Sequence, residues 1–219
     1  MSQPQAYLEL KNFNLASPSQ NLLHAFHFFV SAGEILCIMG PSGCGKSSLL
    51  LYILGLLPRG LKANGEVVLS GKKIHTLPTE KKEVGIVFQD PLLFPHMNVL
   101  ENLMFAIPTG MAKNERRELA FKALQDCKLE NYAKMDANQL SGGQKARISL
   151  FRSLLARPKA LLLDEPFSKL DAKLKKPIQD FFLEHVQKNN LPTVLVTHDP
   201  LDAKALGKKI LELPESSPF

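Results

Sequence analysis

The stretch GPSGCGKS, residues 40–47, sets three glycines, a lysine and a serine in the spacing G-x-x-x-x-G-K-S. Residues of these types suit a bound phosphate chain. The glycines let consecutive backbone N–H groups curl around a phosphate, Lys46 brings a mobile positive charge to the outer phosphates, and Ser47 offers a hydroxyl to Mg²⁺. A second phosphate signature lies about a hundred residues later. In LSGGQ, residues 140–144, Ser141 precedes two glycines at the start of an expected helix, another nest of backbone N–H groups suited to an anion. Between the signature and the C-terminus, LLLDEP, residues 161–166, ends an apolar run in two adjacent carboxylates, Asp164 and Glu165. One carboxylate there can hold Mg²⁺ through water, and its neighbour can polarise an attacking water. Strands often end in acidic residues, so this pair gains its meaning from the glycine loop upstream. Gln89, His198 and Asp171 are single residues that also take meaning only from that setting. Each has an ordinary reading: a surface glutamine, a strand-end histidine and a helix N-cap.

Apolar runs alternating with helical patterns from residue 34 onward predict a parallel sheet covered by helices. EILCIM (34–39) reads as a buried strand running into the glycine loop, with KSSLLLYILGLL as the helix that follows. Further strands are expected in GEVVLSG (65–71), VGIVFQ (84–89), KALLLDEP (159–166) and PTVLVTH (192–198). Such an order leaves Gln89, the carboxylates and His198 at strand C-termini, where open α/β sheets bind ligands. Between about residues 97 and 157 the pattern turns helical. YLELKNFNL and FHFFV, in the front third, predict an antiparallel β-edge on the α/β core.

The whole chain sets wider bounds. At 219 residues, 45% hydrophobic and 22% charged, it suits one well-buried domain, and no window approaches eighteen uninterrupted apolar residues. The formal charge of +6 comes from scattered lysines. KKEVG and KLKKP are short, separate and free of interleaved aromatics, so no nucleic acid is expected as a partner. Three cysteines without a C-x-x-C pair fit a reducing compartment, and the N-terminus carries no evident signal peptide, which predicts a cytoplasmic protein.

Taken together, GPSGCGKS, FQD, LSGGQ, LLLDEP, SKLD and VTHD resemble, in order and approximate spacing, the ATPase subunits of ATP-binding-cassette (ABC) transporters. The resemblance covers nearly the whole chain. It implies an α/β P-loop NTPase with a mostly parallel sheet core, an N-terminal antiparallel β-subdomain and an inserted helical subdomain. The core would comprise about 1–89 and 158–219 of a single domain, and the helical part about 90–157. It implies that ATP and Mg²⁺ are bound by Gly40, Pro41, Ser42, Gly43, Cys44, Gly45, Lys46, Ser47, Ser48 and Gln89, with Ser47, Gln89 and Asp164 on the metal. Glu165 would be the general base, His198 would contact the γ-phosphate and position the water, and Lys46 would hold the β- and γ-phosphates. In that family two cassettes pair head to tail, which accounts for two phosphate signatures. Ser141, Gly142, Gly143, Gln144 and Asp171 would then serve the nucleotide of a second copy.

The resemblance also implies a membrane permease that docks on the segment from Gln89 to about Leu103 and the helices after it, and so a place on the inner face of the membrane. LFPHMNVLENL resembles importer ATPases for thiamine, sulfate, iron or polyamines, with a solute-binding protein acting indirectly. The chain ends soon after ILEL, which predicts no C-terminal regulatory domain. An exporter or lipoprotein-release ATPase is the alternative, and a non-transport cassette fits less well. Only residues 90–139 separate FQ from LSGGQ, too few for the coiled coil of repair members, and one cassette is present where ribosome-acting members carry two. One motif departs from the family. The aromatic ring that stacks on adenine should fall near Ser17, and the nearest ring, Phe13, is expected to pack in the core. Cys44, beside Lys46 and a helix N-terminus, is expected to be a reactive thiol shielded by nucleotide, and Cys37 a slow one.

Overall fold

Period-two alternation in the apolar strands decides how the layers stack. The computed structural model describes residues 7–213 together with the short strand at 217–218. Tyr7–Ala16 (β1) and Gln20–Ser31 (β2) form an antiparallel hairpin, followed by Ile35–Met39 (β3) and Lys46–Leu54 (α1). Lys62–Leu69 (β4) and Lys72–Lys73 (β5) precede Val84–Val87 (β6). Three helices come next: Val99–Ala106 (α2), Lys113–Asp126 (α3) and Gly142–Leu155 (α4). The chain continues through Ala160–Asp164 (β7), Ala172–Lys188 (α5), Thr193–Val196 (β8), Pro200–Leu206 (α6), Lys209–Glu212 (β9) and Ser217–Pro218 (β10).

Two five-stranded sheets result, ordered β10-β2-β1-β4-β5 and β6-β7-β8-β3-β9. Every pairing given for the first is antiparallel and every pairing given for the second is parallel. The expected strands and helices form within about three residues of their expected ends, except β2, which begins at Gln20, six residues before FHFFV. The parallel register sets Val87 beside Leu163, Asp164 beside Val196, and Ile38 beside Val196. Four strand C-termini thus lie side by side along one edge.

Both faces of that sheet are covered, so its strands read as continuous apolar runs and side chains sort by parity. Cys37, Leu161, Leu163 and Leu195 face a core shared with α2–α5. Ile38, Leu162, Val194 and Val196 face the other, shared with α1 and the antiparallel sheet. Each such leucine contributes about 1.5–3 kcal/mol by leaving water. Helix α1 is anchored at its far end as well. Gly55, at φ 80°, caps it through its N–H to the carbonyls of Leu51 and Tyr52. The fully buried Lys82 donates from Nζ to the Ile53 carbonyl at 3.0 Å, and Thr79 Oγ1 donates to that of Leu54 at 3.0 Å. The last-turn carbonyls that a helix leaves open are met by side chains.

Leu162 is fully buried between sheet and α1. Leu162→Ala should destabilise the fold by about 2–5 kcal/mol. Denaturant unfolding should show this as a lower midpoint at unchanged slope.

Candidate functional site

The glycine loop joins β3 to α1 and depends on backbone conformations that side chains resist. Gly43 and Gly45 have φ of 83° and 100°, and a Cβ on Gly45 would come within 2.8 Å of Leu15 Cδ2. α1 begins at Gly45 with no side-chain cap and no acidic residue in its first turn. Its open N–H groups and the positive end of its dipole are left for an anion. Lys46 is buried, and its Nζ donates to the carbonyls of Gly40 at 2.7 Å and Pro41 at 2.6 Å. The lysine is thereby folded back over the loop whose phosphate it is expected to hold.

Parallel pairing brings the other candidates to the same edge. Glu165 follows β7 at φ 47°, a left-handed conformation that costs a non-glycine residue about 1–2 kcal/mol. Its N–H bonds the Val196 carbonyl at 2.9 Å, and Ser168 Oγ donates to its carbonyl at 2.8 Å, which hold the turn. The Glu165 carboxylate is gripped from two sides. Gln89 Nε2 donates to Oε2 at 3.1 Å, and His198 Nδ1 lies 2.8 Å from Oε1. Against a carboxylate acceptor, that nitrogen carries the proton. His198 itself is 65% exposed, so its outer nitrogen is open to a ligand.

Asp164 is buried at the end of β7. Burial pushes its carboxyl above the usual range, with Glu165 adding to the rise, while the Ser47 hydroxyl and the Lys46 charge pull it down. Ser47, Asp164 and the amide of Gln89 are hard oxygen donors, a set that suits Mg²⁺ with water completing its shell. Among the described residues, no group of three or more His, Cys, Asp or Glu side chains is placed to hold a metal ion.

The LSGGQ segment opens elsewhere. Ser141 caps α4: its Oγ accepts from Gln144 N at 3.3 Å while Gln144 Oε1 accepts from Ser141 N at 2.8 Å. The first-turn N–H groups of Gly142 and Gly143 have no partner within their helix. Ser141, Gly143, Gln144, Lys169 and Asp171 line a cleft of about 400 Å³ to which no residue of 40–47 contributes. One chain thus presents its two phosphate signatures to different spaces. Gly143 has an internal reason too, since a Cβ there would sit 2.7 Å from the Lys169 carbonyl. Asp171 is the N-cap of α5, accepting from Lys173 N at 3.4 Å.

Two cysteine and aromatic expectations resolve differently. Cys44 is not a surface thiol: it is 1% exposed, with its side chain in the core between sheet and α1. A reactive thiol needs access as well as positive surroundings; here the Cys44 sulfur instead accepts from Lys46 Nζ at 3.8 Å inside the loop. Cys37 is fully buried and pushed up to about 12, which fits a slow thiol. Phe13 packs inward on Tyr52, ring centroids 4.8 Å apart, and Ser17 sits in the β1–β2 turn with its Oγ bonded to Gln20.

Sequence reasoning missed the group that ties α5 to α6. Lys175 pairs with Asp199 and Asp202, both at 2.6 Å, and Gln179 donates to Asp202 at 2.8 Å. It fixes the helix begun by Asp171 against the one that follows His198. Asp199 ends the VTHD motif, but its partner is an ordinary lysine four residues past the cap.

Asp164 yields a signed test. A carboxyl raised in the folded state binds its proton more readily there than when unfolded, so stability is lost as pH rises above the unfolded value near 3.8. Asp164→Asn removes that buried charge. It should raise the Tm of the nucleotide-free protein at pH 7, with the gain shrinking toward pH 4 in a thermal-melt series.

The geometry agrees with comparisons to known proteins. A family profile described as ABC transporter matches residues 23–168. The uncharacterized ABC transporter ATP-binding protein YnjD of Escherichia coli (strain K12) is 43% identical over 208 residues, 95% of each chain. A spermidine/putrescine import ATP-binding protein, PotA of Legionella pneumophila (strain Lens), is 37% identical over 93% of this chain, which spans only 56% of PotA. The dimeric structure of MJ0796, a bacterial ABC transporter cassette, superposes with a TM-score of 0.82 at 30% identity, covering 96% of this chain and 98% of that one. The same cassette, in a dimeric post-hydrolysis state bound to ADP and Pi, gives 0.81 at 31% identity, with the same coverage. The chain belongs to the ABC transporter family and is one of its ATPase cassettes.

Proposed function

We propose that this chain powers uptake of a small solute by hydrolysing ATP between two copies of itself held against a membrane permease. The observation that carries the reading is the placement of Glu165, gripped by Gln89 and His198 beside Asp164 and the glycine loop. The phosphates would lie on the N–H groups of residues 43–48, with Lys46 exchanging two loop carbonyls for phosphate oxygens. Ser47, Asp164 and Gln89 would hold Mg²⁺, which when bound neutralises charge on the β- and γ-phosphate oxygens. Glu165 accepts a proton from the attacking water. His198 orients that carboxylate through Nδ1–H and offers its exposed nitrogen to the γ-phosphate. Ser141, Gly142 and Gly143 close over the nucleotide of the second copy, and Asp171 lines the same cleft.

Import is favoured by the names of the PotA relatives. The permease would dock where residues 90–105 leave Leu92 and Phe105 exposed. That surface is stiffened from beneath. Buried Asn102 accepts from Phe94 N at 2.8 Å, Arg152 reaches the Leu92 carbonyl, and its guanidinium lies 5.3 Å over the Phe94 ring. Among the described residues no helix is long and apolar enough to cross a membrane, so attachment through a permease at the cytoplasmic face is the proposed location.

Glu165→Gln should keep ATP binding, lower turnover by about 10²–10⁴, and accumulate as a dimer with Mg-ATP in size-exclusion chromatography. Turnover near the wild-type rate would remove Glu165 from the mechanism. Ser141→Arg should leave nucleotide affinity of the monomer intact and abolish ATP-dependent dimerisation. A parallel loss of affinity would place the signature in its own chain's site. For transport, pull-down from detergent-solubilised membranes should recover a permease, and co-purification with an exporter would reverse the proposed direction.

A further inference from the structure

Two ties join the segment after β6 to the loop after β7, and the site described above uses only one of them. The first is the Gln89–Glu165 hydrogen bond. The second is an ion pair between Lys169 Nζ and Asp90 Oδ1, groups 79 residues apart in sequence. The two ties sit in parallel, because Asp90 is the next residue after Gln89 and Lys169 follows Glu165 in the same short loop. Lys169 is also fixed from behind. Its carbonyl presses on α4, where only a glycine at position 143 leaves room, and its Cδ lies 3.8 Å from where a Cβ on Gly142 would be. The backbone at 169 is therefore a firm post, and its ammonium reaches across to the chain beside Gln89.

We propose that Lys169 and Asp90 are a positioning pair for hydrolysis, holding residues 89–90 against the 165–171 loop so that Gln89 keeps its bond to Glu165. The inference rests on the reading of Glu165 as the general base. Asp90 is 88% exposed and Lys169 38%, so the pair adds little to global stability and is screened by salt. Its effect belongs in turnover, where a small displacement of Gln89 loosens the grip on the carboxylate. The pair bonds no residue of the glycine loop, so nucleotide affinity of the isolated monomer, set by its own residues 40–48, should be indifferent to it.

The test is a double-mutant cycle read at low and high salt with kcat, nucleotide affinity of the monomer and Tm. Lys169→Met and Asp90→Asn should each lower kcat about two- to fivefold at low salt, with monomer affinity and Tm nearly unchanged. The double variant should be no worse than the poorer single one. Lys169→Arg should keep most of the rate, and exchanging the charges, Lys169→Asp with Asp90→Lys, should restore more than half of the loss. Multiplying losses in the double variant, or no change in kcat, would overturn the pairing. So would a loss confined to Lys169, which would assign its charge to the second copy's nucleotide. Glu165→Gln in the same assay separates the two claims: activity there would sink the base assignment, whereas an inactive Glu165→Gln with an uncoupled cycle would sink only the pair.

Discussion

Parallel pairing of β6, β7, β8 and β3 is the constraint on which the rest of the molecule depends. In a parallel sheet every strand delivers its C-terminus to the same edge, so four loops distant in sequence must converge there. Gln89, Asp164, Glu165, His198 and the glycine loop are neighbours for this reason alone. Covering both faces with helices and a second sheet makes the register costly to shift, because a one-residue slip would send each leucine of β7 to the wrong core. The precision of the site is borrowed from that packing.

Local conflict then appears where chemistry is expected. Glu165 adopts a left-handed backbone, Asp164 carries a buried carboxyl pushed upward, and Lys46 binds carbonyls of its own loop. The first two would cost stability in an ordinary surface loop. Here they are held by neighbours fixed on the sheet, and the lysine is satisfied by the two carbonyls it would exchange for phosphate oxygens on the proposed reading. The signature helix behaves differently: Ser141 and Gln144 satisfy each other, so the nest is preformed and would need little adjustment to receive the phosphate proposed for it. Its cleft lies apart from residues 40–47, so on the proposed reading a second copy would complete the site.

Much of this was legible in the sequence because it is local. Apolar runs bounded by glycine and proline gave the strands, and residues 40–47, 140–144 and 161–166 each carry their chemistry in adjacent positions. What escaped was set by distance or by facing direction. Asp90 and Lys169 read as two unrelated surface charges, and Lys82 as one lysine in a solvated run, until the fold buries it under α1. Cys44 has the neighbours of a reactive thiol, yet the loop turns its side chain into the core. Gly143 looked like a phosphate glycine only, and the Lys169 carbonyl against it was invisible from its own segment.

Sharing of each nucleotide between two copies is the central claim, and mixing two inactive variants tests it most directly. Lys46→Ala disables a chain's own phosphate loop, and Ser141→Arg disables the signature it lends to a partner. Neither should hydrolyse ATP alone. A head-to-tail dimer of one with the other contains one site in which both halves are intact, so the mixture should recover ATPase activity. A mixture as inactive as its components, under conditions where the two chains are shown to associate, would contradict the account.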